Sequence, residues 1–226
     1  MMPTKTMTLG EGEPAAGPWQ VVPLAQLVRM LRPPDGVPSG RPWVLAVDGR
    51  SGSGKTTLAD RIRGAVPAST VVHTDDIAWS QAMFDWTDLL VGGVLEPVRR
   101  GEPVSFRPPA WRERNRPGAI EVPPGRELVI VEGAGAARGE LMHLVDAVVW
   151  VQSDMAEAQR RGIERDGGDE AAVSFWHLWM AEELPFMARQ RPWTRANVIV
   201  AGTPSCPHDP ASEVVIAYAD RRPPAR

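Results

Sequence analysis

The run Gly49-Arg50-Ser51-Gly52-Ser53-Gly54-Lys55-Thr56 fits the spacing G-x-x-x-x-G-K-[ST], and Thr57 follows it. Glycines at these positions let the backbone curl so that several N–H groups face inward. Such a nest at a helix N-terminus holds polyphosphate oxygens. A lysine at position 55 reaches β- and γ-phosphates, and a Thr56 hydroxyl ligates Mg²⁺. The spacing therefore points to ATP or GTP bound with Mg²⁺ through residues 49–57.

Carboxylates complete the chemistry. His73-Thr74-Asp75-Asp76 ends a short apolar run, and Val131-Glu132-Gly133 ends another. In open parallel sheets the reactive groups lie beyond the C-terminal strand ends. Asp75 there can orient and deprotonate an acceptor hydroxyl or hold the metal through water, and Asp76 points at the same crevice. Glu132 stands where such proteins keep a metal-organising carboxylate. His73 reads as a packed strand residue. Arg161 and Arg165, four apart on one helix face, either neutralise a transferring phosphoryl group or form a solvated face with Glu164 and Asp166. Arg112, Arg114 and Arg116 cluster with Trp111, and Trp79, Phe84 and Trp86 precede them. This set either grips an acceptor ring or closes a small satellite core.

These residues need elements to hold them. Residues 43–47, 70–73, 128–131, 147–151 and 197–201 are short apolar runs that read as buried strands. Residues 55–63, 154–166 and 170–190 read as helices, the second capped by Ser153 and the last interrupted at Pro185. A further helix is expected over 19–31 and another near 86–94, and residues 213–218 suit an edge strand. Strands alternating with helices predict βαβ units and a parallel sheet.

Bulk composition narrows the class. A length of 226 residues suits one domain plus tails. Net charge is -3, which gives no basic surface for nucleic acid. The lone Cys206 excludes an internal disulfide framework. No membrane span or signal segment is evident, so a cytoplasmic location is expected. A homo-oligomer is left open.

With these segments in hand, the chain resembles the uridine kinase and phosphoribulokinase-like P-loop kinases. The likeness rests on residues 47–57, 73–76, 84–86, 129–133, 161–166, 185–186 and 196–200, and it spans about residues 43–204. The resemblance implies that Asp75 is the catalytic aspartate and that residues 161–166 supply lid arginines. Asp76-Ile-Ala-Trp79 and Trp86-Thr87 replace segments that help hold the nucleoside in the family. The chemistry therefore carries over better than the substrate.

The expected fold is an α/β, three-layer P-loop NTPase-type domain with a five-stranded, mostly parallel sheet flanked by helices. Residues 1–18 form a disordered tail, and 19–40 a helix and linker. The kinase domain spans 41–204, with 76–118 an acceptor-binding insertion and 154–190 a lid and helical segment. Residues 205–226 form a Pro-rich tail. The expected activity is transfer of the γ-phosphate to a hydroxyl of a nucleoside or similar small molecule, without nucleic-acid or membrane partners. Lys55, Asp75, Arg161 and Arg165 are the catalytic candidates, and Thr56, Asp75 and Glu132 the metal candidates. Asp76, Trp79, Phe84, Trp86, Trp111, Arg112 and Arg114 are the acceptor-site candidates. Kinases of nucleotides, sugars, vitamins or antibiotics, and a nucleotide-binding regulator with little catalysis, are the alternatives.

Overall fold

The computed structural model describes residues 7–36 and 39–219. In chain order the elements are β1 (Gln20–Pro23), α1 (Leu24–Leu31), β2 (Trp43–Gly49), α2 (Lys55–Ala65), β3 (Ser69–His73) and α3 (Thr74–Ala78). Next come α4 (Thr87–Leu90), a π turn (Val91–Leu95), α5 (Glu96–Arg99), β4 (Val104–Phe106), α6 (Pro109–Glu113) and β5 (Ile120–Val122). The chain continues through β6 (Leu128–Glu132), β7 (Ala147–Gln152), α7 (Met155–Arg165), α8 (Glu170–Gln190), β8 (Val198–Ala201) and β9 (Glu213–Tyr218).

The main sheet has seven strands in the order β1-β9-β8-β7-β2-β6-β3, not five. The five expected strands form its parallel part. The two extra strands pair antiparallel: β9 with β8, and β1 with β9. The expected edge strand over residues 213–218 is therefore internal, because Val21 and Val22 of β1 cover its open side. Residues 205–226 are correspondingly more than a tail, although residues 220–226 lie outside the described part. The expected helix over 19–31 begins only at Leu24, after Pro23 ends the strand.

Side chains alternate cleanly between the two faces. On β2, Val44 and Ala46 enter the core beneath α4 and α5. Trp43, Leu45 and Val47 enter the opposite core, shared with α1 and α2. Both faces of the parallel strands are thus covered, which explains their continuous apolar runs. The expected break of α8 at Pro185 is absent, and the helix runs through it. Pro185 is exposed, as is Ala181 one turn earlier, so the carbonyl that loses its N–H partner faces solvent. Asp154, rather than Ser153, caps α7 by accepting the Glu157 N–H at 3.0 Å. Among the described residues no helix is long and apolar enough to cross a membrane.

Of the tail expected to be disordered, residues 1–6 lie outside the described residues, and residues 7–18 are held on the domain by hydrogen bonds. They run as a strap over the C-terminal end of β7 and the start of α7. The Thr8 N–H donates to Asp154 Oδ2 at 2.9 Å, and the Met155 N–H to the Thr8 carbonyl at 2.9 Å. Ala16 N–H donates to Gln152 Oε1 at 2.9 Å. Polar contacts hold this segment, so hydrophobicity does not reveal it.

Candidate functional site

Because β2, β6 and β3 are adjacent and parallel, their C-terminal ends lie together. Register pairs Val47 with Glu132 and Glu132 with His73. The loop after β2, the Glu132 carboxylate and the Asp75 turn after β3 therefore meet at one edge.

The loop from Gly49 to α2 is held by its glycines. Gly52 and Gly54 have φ of 74° and 99°, which side chains rarely adopt. A Cβ on Gly52 would also sit 2.0 Å from the Ala158 carbonyl oxygen of α7. Gly54 opens α2, so the first helical N–H groups face the loop. Lys55 is buried, and its Nζ donates to the Arg50 carbonyl at 2.9 Å.

Asp48, just before the loop, is fully buried and accepts N–H bonds from Gly49 at 2.7 Å, Gly135 at 3.0 Å and Ala137 at 2.8 Å. It ties the loop entrance to the segment after β6. Burial pushes its pKa up to about 6, against the lowering effect of these bonds and of Lys55. A folded value above the ordinary 3.8 means that the native state holds this proton more tightly than the unfolded chain. The associated stabilisation, about 3 kcal/mol, is complete below 3.8 and is lost as pH rises through about 6. Relative to an Asp48→Asn variant, the wild type should therefore lose about this much unfolding free energy between about pH 4 and about pH 7. Urea unfolding of both proteins at each pH checks this, and a constant gap would contradict it.

A cavity of about 290 Å³ opens beside the loop, and Lys55, Thr56, Asp75, Glu132 and Arg165 all reach it. Thr56 Oγ1 donates to Glu132 Oε1 at 3.3 Å, and His73 Nδ1 lies 2.7 Å from Glu132 Oε2. Burial raises the Glu132 pKa, but the His73 hydrogen bond and the Lys55 charge outweigh it and hold the carboxyl below its usual range. His73 is raised in return, first by that hydrogen bond. His73 thus orients a site carboxylate, a role beyond strand packing. Asp75 has an accessible tip, yet desolvation by the cleft walls, reinforced by the Glu132 charge, raises its pKa against Lys55.

Thr56 and Glu132 supply hard oxygen donors of the kind Mg²⁺ takes. Among the described residues no group of three or more His, Cys, Asp or Glu could hold a metal. An Mg²⁺ ion held by Thr56 and Glu132 would have to take its remaining ligands from phosphate or water.

The arginines separate. Arg165 lines the cavity with Asp75 and pairs with Asp166 at 2.8 Å. Arg161 does not line it. Its Nη1 donates to the Gly202 carbonyl at 2.8 Å, and it lines another cleft of about 170 Å³ with Ser53, Thr57 and His208.

The aromatic candidates also divide. Trp79 lines the cavity, joined by Phe175, Trp176 and Trp179 of α8. Trp86 and Trp111 are buried in the main core on one face of the sheet, with Val44, Ala46 and Val131, and not in a small satellite core. Phe84 stacks on Phe186 at 4.1 Å and packs beside Trp179, behind the wall. Asp76 is held by Arg116 at 2.5 Å, and Arg116 also lies 3.7 Å over the Trp111 ring. Arg112 and Arg114 are exposed and stand apart from the cavity.

Besides Asp48, two carboxylates escaped the sequence reading. Glu183 on α8 is fully buried and accepts the Ser51 N–H at 2.9 Å and the Ser51 hydroxyl at 2.6 Å. It also accepts the indole N–H of Trp179, four residues earlier, so the i,i+4 spacing was the available signal. Glu13 is buried in the strap and pairs with Arg50. Its Oε1 also accepts from Trp150 Nε1 at 2.7 Å and Gln152 Nε2 at 2.9 Å. Nothing local in the sequence announces this, since its partners are remote.

No protein-family model and no curated protein matches the sequence. Solved structures do. A candidate fructose transport system kinase from Silicibacter sp. TM1040 aligns at 24% identity over 76% of this chain and 95% of its own, with a TM-score of 0.53. A possible uridine kinase from Bacillus stearothermophilus aligns at 16% identity over 78% and 96%, with a TM-score of 0.44. TT1252 from Thermus thermophilus aligns at 17% identity over 73% and 91%, with a TM-score of 0.40. At this identity the first likeness speaks for the fold alone. The chain has an α/β fold with a mixed sheet flanked by helices, consistent with a P-loop NTPase-type arrangement.

Proposed function

We propose that the protein is an ATP- or GTP-dependent kinase that phosphorylates a hydroxyl of a small molecule. The observation that carries this reading is the convergence of Lys55, Thr56, Asp75 and Glu132 on one cavity beside a glycine-shaped loop. The triphosphate lies along that loop, its charge balanced by Lys55, Arg165 and backbone N–H groups. Thr56 and Glu132 would hold Mg²⁺, which when bound neutralises charge on the phosphates. Asp75 aligns the acceptor hydroxyl and takes its proton. The hydroxyl oxygen forms a bond to the γ-phosphorus as the bond to the β–γ bridging oxygen breaks, and the diphosphate leaves. Trp79, Trp176 and Trp179 offer flat apolar walls to the acceptor. Arg161 serves the nucleotide at its separate cleft beside α2, away from the transferring group.

This division of arginines predicts different defects. Arg165→Ala should lower turnover by about 10²-fold with little change in triphosphate affinity. Arg161→Ala should weaken triphosphate binding and spare turnover at saturation. Steady-state kinetics with varied ATP separates the two, and identical defects would reject the division. The reading itself is tested with radiolabelled ATP over nucleosides, nucleotides, sugars and aminoglycosides. Label transferred to an acceptor by the wild type and lost in Asp75→Asn supports it. Transfer to none of them would reject it.

A further inference from the structure

The strap meets the triphosphate loop at Arg50. Gly10 packs against the Arg50 guanidinium, where an added Cβ would stand 3.1 Å from it. A turn closes from the Glu13 N–H to the Gly10 carbonyl at 3.1 Å, with Gly12 at φ 70°. That turn delivers Glu13 to Arg50. The Glu13 side chain has 0% exposure and that of Arg50 7%. Glu13 is the one carboxylate paired with Arg50 among the described residues, and the Arg50 Nε has no partner among them. The far side of Glu13 is fixed by the β7 side chains Trp150 and Gln152, and Gln152 Nε2 also donates to the Pro14 carbonyl at 2.9 Å. Arg50 is therefore clamped from outside the loop while its own carbonyl receives the Lys55 ammonium.

We infer that Glu13 is a positioning residue for the triphosphate loop, acting through Arg50 to set the Arg50 peptide and with it Lys55. Loss of the carboxylate leaves a buried guanidinium without a counter-charge. The arginine must then swing toward water and carry its carbonyl with it, which releases Lys55 from its place. The inference rests on the triphosphate reading of the loop. It extends the functional apparatus to a segment 37 residues before Arg50 that touches none of the reacting atoms.

A double-mutant cycle on the full chain tests it, with ATP and Mg²⁺ titrated calorimetrically into wild type, Glu13→Gln, Arg50→Met and the double variant. Glu13→Gln should weaken binding about tenfold, and adding it to Arg50→Met should cost almost nothing further. A merely structural Glu13 would lower thermal stability in both backgrounds and leave affinity unchanged. Wild-type affinity in Glu13→Gln, or effects that multiply, would overturn the inference. Hydrogen exchange on the unmutated protein gives an answer even where Glu13→Gln does not fold. Because linkage is reciprocal, bound ATP should slow amide exchange across residues 8–16. Unchanged exchange there, in a protein that binds ATP, would overturn it too. A wild type without affinity for ATP or GTP instead removes the triphosphate reading, and the inference with it.

Discussion

Lys55→Ala should abolish phosphoryl transfer, with a loss of at least about 10³-fold in turnover. The magnitude follows from where the ammonium sits. Lys55 is buried at the start of α2 and lines the cavity with Asp75 and Glu132, so its charge acts where water screens little. Phosphoryl transfer passes through a loose transition state, and catalysis comes from position and charge more than from covalent steps. Among the described residues the other basic side chain lining the cavity is Arg165, which is already paired with Asp166. The measurement is single-turnover transfer from radiolabelled ATP with acceptor in excess. Turnover within tenfold of wild type would reject the assignment of Lys55. The same variant should gain little in thermal stability from added ATP, whereas the wild type gains with ligand concentration.

Asp75→Asn should cost about 10²–10⁴-fold in turnover while leaving triphosphate affinity near wild type. The amide keeps the shape and can still meet a hydroxyl, but it cannot take the proton. Asp75 stands after β3, apart from the loop amides proposed to hold phosphate, which is why binding should survive. Its raised pKa gives a second signature. Desolvation and Glu132 shift the carboxyl above the ordinary carboxylate range, with Lys55 opposing. A base works only when ionised, so wild-type kcat/KM should fall as pH drops through that raised value and level off above it. Asp75→Asn should lack this acid limb. A limb of the same position in the variant would assign the titration to another group, with Glu132 ruled out by its depressed pKa.

The parallel core of the fold was legible because its strands are buried on both faces. Continuous runs such as Trp43-Val-Leu-Ala-Val47 can satisfy only that environment. The loop was legible because glycine spacing, Lys55 and Thr56 act locally. The cavity residues Asp75 and Glu132 followed from strand ends in a parallel sheet. What escaped depends on contacts between distant segments. Strand β1 is four residues long and carries no pattern of its own, and β9 gives it a place. Trp86 and Trp111 looked like acceptor aromatics because composition does not tell a packed indole from a presented one. Both are buried in the apolar core, where Arg138 lies 3.9 Å over Trp86 and the Asp76 carbonyl accepts from Trp111 Nε1 at 2.9 Å. Trp176 and Trp179 were overlooked for the opposite reason. Gly162 of α7 has no side chain where the Trp176 ring passes, so α8 can approach and set both indoles beside Asp75.

The placement of Glu13 also constrains how the polypeptide is made. Its partners Trp150 and Gln152 are added 137 and 139 residues later. At about 5–20 residues per second, the emerging chain carries Gly49 to Thr56 for roughly ten seconds before the docking strand exists. During that interval Arg50 has no buried anion to meet. Any product that terminates between Thr56 and Trp150 carries the whole Gly49–Thr56 run in its letters and lacks the side chains that hold Glu13 against Arg50.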